Sequence, residues 1–166
     1  MTAIDPRAGA VRQLDEARRL YETGQLDEAA AIFAALAADE RSPDREQAAA
    51  GLAVVAERMA EILLEEGDPG QAADLLLEAL AVPGVADSAR LRVLLGIAHL
   101  ELACAEFAGA VEAGPDADTA ALAIELLART LPLRGRDGDA ETVWRYGLDH
   151  EDGALAAQVK ERLDRP

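Results

Sequence analysis

The amino-acid sequence predicts an all-α fold of antiparallel helical hairpins, and the first of three supporting features is an internal repeat. An apolar residue is followed by a glycine four positions later, an alanine five after that and a bulky apolar residue four later still. This spacing is typical of a helix, a glycine turn and a second helix packed through a small residue. The three copies are Leu20, Gly24, Ala29 and Phe33; Leu63, Gly67, Ala72 and Leu76; and Leu131, Gly135, Ala140 and Trp144.

The other two features are the amino-acid composition and the turn residues that separate the helical segments. Apolar residues make up 51% of the 166 residues but aromatic residues only 3%. Much of the apolar content is alanine and leucine, which are strong helix formers, and β-branched runs are scarce. Short clusters of Asp, Gly and Pro separate the periodic segments, as expected for turns between helices. A chain of this length can bury the core of one domain.

The first hairpin is predicted over residues 10–38, after a flexible N-terminus over residues 1–9. Its helices span about 10–23 and 26–38, with apolar residues of the second helix on one face. Gly24 is expected to end the first helix because glycine tolerates a positive φ.

The second hairpin is predicted over residues 43–82. Ser42 is expected to cap its first helix, with a proline in the first turn. Asp68 is expected to cap its second helix, with a proline at the first helical position and Gln71 as the partner in a capping box.

The third hairpin, predicted over residues 88–114, lacks the glycine turn. Ala103, Cys104 and Ala105 occupy the place where the turn should be. The two helices therefore either turn abruptly or fuse into one, and the sequence leaves both alternatives open.

The fourth hairpin is predicted over residues 117–150, with Pro132 expected to kink or end its first helix. A last helix over residues 153–164 has no partner helix after it. Helical arrays need such a cap with a polar outer face, so we expect this helix to close the domain.

The charge of the chain limits its partners. It has 32 acidic and 16 basic residues, a net charge of −16, and no third of the chain is basic. This field opposes binding to nucleic acids and to anionic membranes, and a basic partner or a metal cation is electrostatically easier to bind. The alternative is that the acidic surface only keeps the protein soluble. No uninterrupted apolar run of about 18 residues is present and the N-terminus lacks an apolar signal segment, so we predict a cytoplasmic protein without a membrane span.

No residue pattern indicates catalysis, a cofactor or a metal site. Cys104 is the only cysteine, so an internal disulfide is excluded, and His99 lies five residues before it, a poor spacing for a pair on one helix face. The acidic segment around His150 would require adjacent turn residues to converge on a cation. Phosphate-binding and nucleophile-elbow motifs are absent, so we predict a protein that is not an enzyme.

The repeated spacing resembles the tetratricopeptide repeat (TPR). In that family an Ala-x-x-x-Phe second helix alternates with a Leu-Gly-x-x-Tyr first helix. The second-helix signature is present at Ala29 and Phe33 and again at Ala140 and Trp144. The first-helix signature is incomplete, because other residues occupy the positions where the family prefers Gly and Tyr. The resemblance implies a single domain over residues 10–166, stacked as a short right-handed array with a C-terminal capping helix. It also implies a non-catalytic scaffold or adaptor.

The resemblance further implies a concave partner-binding face lined by the first helix of each hairpin; we call its residues the first-helix face. A basic peptide or domain is the expected ligand, because carboxylates outnumber arginines on this face. The clamp that some members use for chaperone tails is missing, since Leu14 and Arg18 replace its Lys–Asn pair. The first-helix face comprises Arg18, Glu22, Glu57, Glu61, Glu65, Val93, Ile97, Glu101, Glu125 and Arg129, together with Leu14 and Leu133.

Three interpretations concern Val93 and Ile97, which are apolar where a groove should be open. They could anchor a ligand side chain or be buried by the final helix, and burial is the commoner fate of such residues. Alternatively, they form the surface of a homodimer, in which case the protein is a self-associating structural protein.

Overall fold

The computed structural model describes residues 6–166, and for residues 6–8 and 10 it describes the backbone alone. Within this range the chain forms eight α-helices and no strand, which confirms the all-α prediction. The helices are α1 (Pro6–Glu22), α2 (Leu26–Ala38), α3 (Arg45–Glu65), α4 (Pro69–Leu80), α5 (Ala89–Glu112), α6 (Ala117–Thr130), α7 (Asp137–Leu148) and α8 (Gly153–Leu163). A short 3-10 helix, Leu131–Arg134, follows α6.

The chain divides into two compact units, whereas the sequence predicted a single domain over residues 10–166. Unit 1 extends to His99 and unit 2 begins at Leu100, so α5 contributes residues to both. The repeat pattern identifies helices that are neighbours along the chain and does not specify how they group into compact units.

Unit 1 is built by consecutive packing of α1 on α2, α2 on α3 and α3 on α4. Phe33 of α2 and Leu76 of α4 are buried in its core, and Leu91 and Leu94 from the start of α5 join the same cluster. The glycine turns after α1 and α3 have a φ of +81° at Gly24 and Gly67, a conformation that side chains with a Cβ rarely adopt.

Unit 2 packs α6 against both α7 and α8. Ile124 of α6 and Val159 of α8 are fully buried at its centre. Asp116 caps α6, because its Oδ1 accepts a hydrogen bond from the backbone N–H of Thr119 at 3.0 Å. The α-helix ends at Thr130 and continues as the 3-10 turn that contains Pro132, as the sequence predicted.

The predicted third hairpin over residues 88–114 is a single helix, α5. The segment around Cys104 contains no helix breaker, and its alanines favour continuation of the helix. The sequence therefore allowed the fused helix, and the repeat pattern alone suggested a turn.

Two helix starts also differ from the predictions. Helix α1 begins at Pro6, so residues 6–9 of the N-terminus predicted to be flexible are helical, and residues 1–5 lie outside the described range. Helix α3 begins at Arg45 with Asp44 at its N-cap, and Asp44 makes no side-chain capping hydrogen bond. The Oγ of Ser42, the predicted cap, instead accepts a hydrogen bond from the N–H of Asp44 at 3.4 Å.

Candidate functional site

The part of the first-helix face that belongs to unit 1 is only partly an open acidic surface. Leu14 is 4% exposed and lies in the core, so it is not a surface residue. Arg18 is exposed and its Nη2 donates a hydrogen bond to the side-chain oxygen of Gln47 at 3.0 Å. Glu22 and Glu65 are exposed and form no ion pair with any basic side chain that the structure describes.

Arg90 of α5 neutralises much of the predicted acidic stripe on α3. Its Nε lies 2.8 Å from Oε1 of Glu57, and its Nη2 lies 2.9 Å from Oε1 of Glu61. The hydrogen bonds that Arg90 donates to Glu57 and, second, to Glu61 raise the pKa of its guanidinium group. The stripe therefore binds a cation from its own chain, which reduces its attraction for a basic partner.

The two apolar residues of this face differ from each other. The side chain of Val93 is 55% exposed, so the expected burial is wrong for this residue. Ile97 is half-buried and packs against the core of unit 1.

In unit 2 two residues of the first-helix face, Glu125 and Arg129, hold the C-terminal helix. Oε1 of Glu125 accepts a hydrogen bond from Nε of Arg129 at 3.1 Å, and its Oε2 accepts one from Nη1 of Arg162 in α8 at 2.9 Å. Arg129 also donates to the carbonyl oxygens of Arg162 and Arg165 at 3.1 and 2.8 Å. These bonds satisfy carbonyl oxygens at the end of α8. Glu125 and Arg129 therefore stabilise the packing of α8 and are not free groups for binding a partner.

The pKa of Glu125 reflects this arrangement. Burial raises the pKa of its carboxyl group, but the hydrogen bonds and positive charges of Arg162 and Arg129 outweigh burial and hold the pKa below its usual value. Glu101, the other carboxylate of the first-helix face in unit 2, forms an ion pair with Arg134, whose Nε lies 2.8 Å from its Oε1. Leu133 is 68% exposed.

A cavity of unit 1 lies elsewhere, between α2 and α4 with α3 as its floor; we call it the α3 groove. Its volume is about 790 Å³, and its lining is mostly apolar. The floor is contributed by α3 and the walls by α2 and α4 with the residues that flank them. The lining residues are Gly24, Leu26, Asp27, Ala30, Ala31, Ala34, Leu52, Ala56, Met59, Ile62, Leu63, Gln71, Asp74, Leu75, Glu78, Ala79 and Val82.

The α3 groove and the first-helix face lie on opposite sides of α3. With about 100° of rotation per helical residue, Met59, two residues from both Glu57 and Glu61, lies about 160° around the helix axis from each of them. Small side chains at Ala31 and Ala34 of α2 leave the groove open. The repeat pattern did not predict this site, and the signal for it in the sequence is the pair of alanines on α2 that face apolar positions of α3.

Three carboxylates belong to the lining of the α3 groove: Asp27 on α2, and Asp74 and Glu78 on α4. All three are exposed. None of them pairs with a basic side chain that the structure describes, and the lining contains no lysine or arginine. This differs from the first-helix face, where Glu57 and Glu61 are paired with Arg90.

The remaining residues that could take part in catalysis or bind a metal do not form a site. Cys104 is buried, and burial, followed by the charge of Glu101, raises the pKa of its thiol. The ring of His150 packs edge-on against Tyr146 with ring centres 5.6 Å apart. Over residues 6–166, apart from the side chains left undescribed near the N-terminus, no three His, Cys, Asp or Glu residues cluster as a metal site.

Helix α5 differs from the other described helices in its hydropathy. An 18-residue window has a mean hydropathy of 1.5, and 17% of that window is buried. By length and composition α5 could cross a membrane, although helices of soluble proteins pass the same test. The absence of a membrane span therefore stays a prediction.

Comparisons with family models, with curated proteins and with solved structures gave no match for this chain.

Proposed function

We propose that this protein is a non-catalytic interaction module, a TPR-like scaffold or adaptor of the cytoplasm, and that it binds a basic segment of a partner protein. The observation that supports this most directly is the α3 groove, a mostly apolar cavity of about 790 Å³ whose lining includes three carboxylates that pair with no basic side chain of the described residues. Pockets of about 300–1,000 Å³ with apolar walls and a few polar groups are typical binding sites.

Electrostatics favours the α3 groove over the first-helix face as the binding site. Glu57 and Glu61 are already paired with Arg90, so a basic ligand would have to compete with that guanidinium. Asp27, Asp74 and Glu78 have no such competitor among the described residues, and the net charge of −16 adds to their attraction for a cation. The first-helix face remains the competing site.

Selection from a random peptide library tests the proposed function. The immobilised protein is panned in parallel with an unrelated acidic helical protein, and the affinities of the enriched peptides are measured at low and high salt. We expect peptides with basic and apolar residues, whose affinity falls as salt screens the charges. Enrichment that is no greater than on the control protein would contradict the proposal.

Self-association is the alternative function, and the exposure of Val93 favours it. A homodimer would need the like-charged surfaces of two copies to approach, which the net charge of −16 opposes at low salt. Light scattering behind size-exclusion chromatography at two salt concentrations decides between these alternatives. A mass of 17.5 kDa at both salts indicates a monomer. A dimer that Val93→Asn dissociates would favour self-association.

A further inference from the structure

We infer that the occupant of the α3 groove is an amphipathic α-helix of a partner protein, with basic residues on both sides of its apolar stripe. This inference rests on the proposed function and adds to it the conformation of the ligand and the pattern of its side chains. It places the binding site on the side of α3 opposite to the first-helix face.

The groove offers apolar contacts along its whole floor. Met59, Ile62 and Leu63 of α3 are half-buried, as are Leu75 of α4 and Val82 beyond its end. A ligand that covered them would remove this apolar surface from water, which is the main source of affinity in such grooves. The required ligand therefore presents a row of apolar side chains.

The walls of the groove select a helix over an extended peptide. They are helices whose backbone groups are bonded internally, and even the N–H of Gly24 at the groove end is bonded, to the carbonyl oxygen of Tyr21 at 3.1 Å. An extended segment in an apolar groove would lose the hydrogen bonds of its backbone to water and find no replacements. A helix satisfies its own backbone and presents side chains at intervals of three and four residues.

The carboxylates lie on both walls. Asp27 belongs to α2, whereas Asp74 and Glu78 lie four residues apart on α4 and so share one face of that helix. A helix seated between these walls would therefore need lysine or arginine on both flanks of its apolar stripe. A second copy of this chain fits poorly, because its acidic residues outnumber its basic residues by 32 to 16.

The test uses three synthetic peptides of about 18 residues, a length at which an isolated helix is marginal but can form on binding. The first carries leucines at positions i, i+3, i+4 and i+7 with lysines on both flanks. The second has the same composition in scrambled order, and the third has a proline at its centre. Binding to the full chain is measured by fluorescence anisotropy, and helix formation by circular dichroism.

Two matched pairs of variants locate the site. Ala31→Tyr fills the groove from an exposed position, and Ala50→Tyr places the same side chain on the exposed opposite face of α3. The double variant Asp74→Lys with Glu78→Lys reverses the charge of the α4 wall. The double variant Glu22→Lys with Glu65→Lys makes the same charge change on the first-helix face.

We expect the amphipathic peptide to bind roughly tenfold more tightly than the scrambled or proline peptide and to become helical on binding. Ala31→Tyr and the α4 reversal should each weaken binding by about tenfold, and the two control variants should change it less than about twofold. Equal affinity for the amphipathic and proline peptides would overturn the helical occupant.

The outcomes separate the two proposals. Binding that survives Ala31→Tyr but is lost with Ala50→Tyr would overturn the groove and leave the proposed function standing. Failure of every peptide, here and in the library selection, would overturn the proposed function itself. A dimer that Ala31→Tyr dissociates would identify a second copy as the occupant and would overturn the partner helix.

Discussion

The phenyl ring of Phe33 lies directly against Gly51, on the neighbouring helix of unit 1. A Cβ built on Gly51 would lie 2.5 Å from Cε1 of the ring and 2.7 Å from Cδ1, both closer than real Cβ contacts. Phe33 is 3% exposed, so the ring is enclosed in the core and cannot move out of the way into solvent without leaving it. The close packing of α2 on α3 therefore depends on a glycine at position 51.

Gly51→Ala should destabilise unit 1 by about 1–3 kcal/mol, because the added methyl group forces the ring or α3 to move. Urea unfolding followed by circular dichroism measures the change. Phe33→Ala alone should cost about 3–5 kcal/mol. In that background Gly51→Ala should cost almost nothing, so a double-mutant cycle would show coupling between the two residues. Additive effects would contradict the direct contact.

Gly96 in α5 provides the opposite expectation. A Cβ at this position would have nothing within 4 Å, and the residue lies well inside the helix. Gly96→Ala should therefore stabilise the protein by about 0.5–1 kcal/mol, because glycine lowers helix stability relative to alanine. The midpoint of urea unfolding should rise, and Gly109→Ala should behave alike. A loss of stability would mean that a neighbour occupies the space beside the helix.

Local chemistry in the sequence was sufficient to predict most helices and turns. Gly24 and Gly67 have the positive φ that their turns require, and Asp68 caps α4 as predicted. Such signals work because they involve residues within four positions of each other. The continuity of α5 at Cys104 was undecided because an expected repeat and the local helix propensity disagreed there.

The candidate site was much less predictable. Arg90 is 33 residues from Glu57 along the chain, so their pairing depends on how α5 packs on α3 and not on a local pattern. The α3 groove depends on the separation of α2 from α4, which no periodicity specifies. The sequence indicated a helical hairpin but not which of its faces would stay open.

The ion pair between Glu125 and Arg162 should make unit 2 sensitive to acid. The pKa of Glu125 is lowered in the folded state, so its contribution to stability is complete above its unfolded-state pKa of about 4.3. That contribution is lost as the pH falls through the folded-state value, because the unfolded chain then binds the proton more readily. Thermal unfolding between about pH 3 and 7 should therefore show a falling melting temperature below about pH 4.5.

Glu125→Gln tests the assignment of this acid sensitivity. The variant should lose about 1–2 kcal/mol at neutral pH, since the side chain of Glu125 is 16% exposed and bonded to two arginines. Its stability should also fall less steeply with acid than that of the unmodified chain. Glu161→Gln is the control. Both side chains of the Glu161–Arg165 ion pair are exposed, so this pair contributes little to stability. Equal pH profiles for Glu125→Gln and the unmodified chain would contradict the assignment.

The N-cap of α4 should contribute measurably to stability, whereas the N-cap position of α2 should not. Oδ1 of Asp68 accepts a hydrogen bond from the N–H of Gln71 at 3.1 Å, whereas Gln25 at the start of α2 makes no side-chain capping bond. Asp68→Ala should therefore cost about 1 kcal/mol, and Gln25→Ala less than about 0.5 kcal/mol. Urea unfolding of both variants at pH 7 provides the comparison. Equal losses would mean that the capping bond is not formed in solution, because both substitutions place alanine at an N-cap within unit 1.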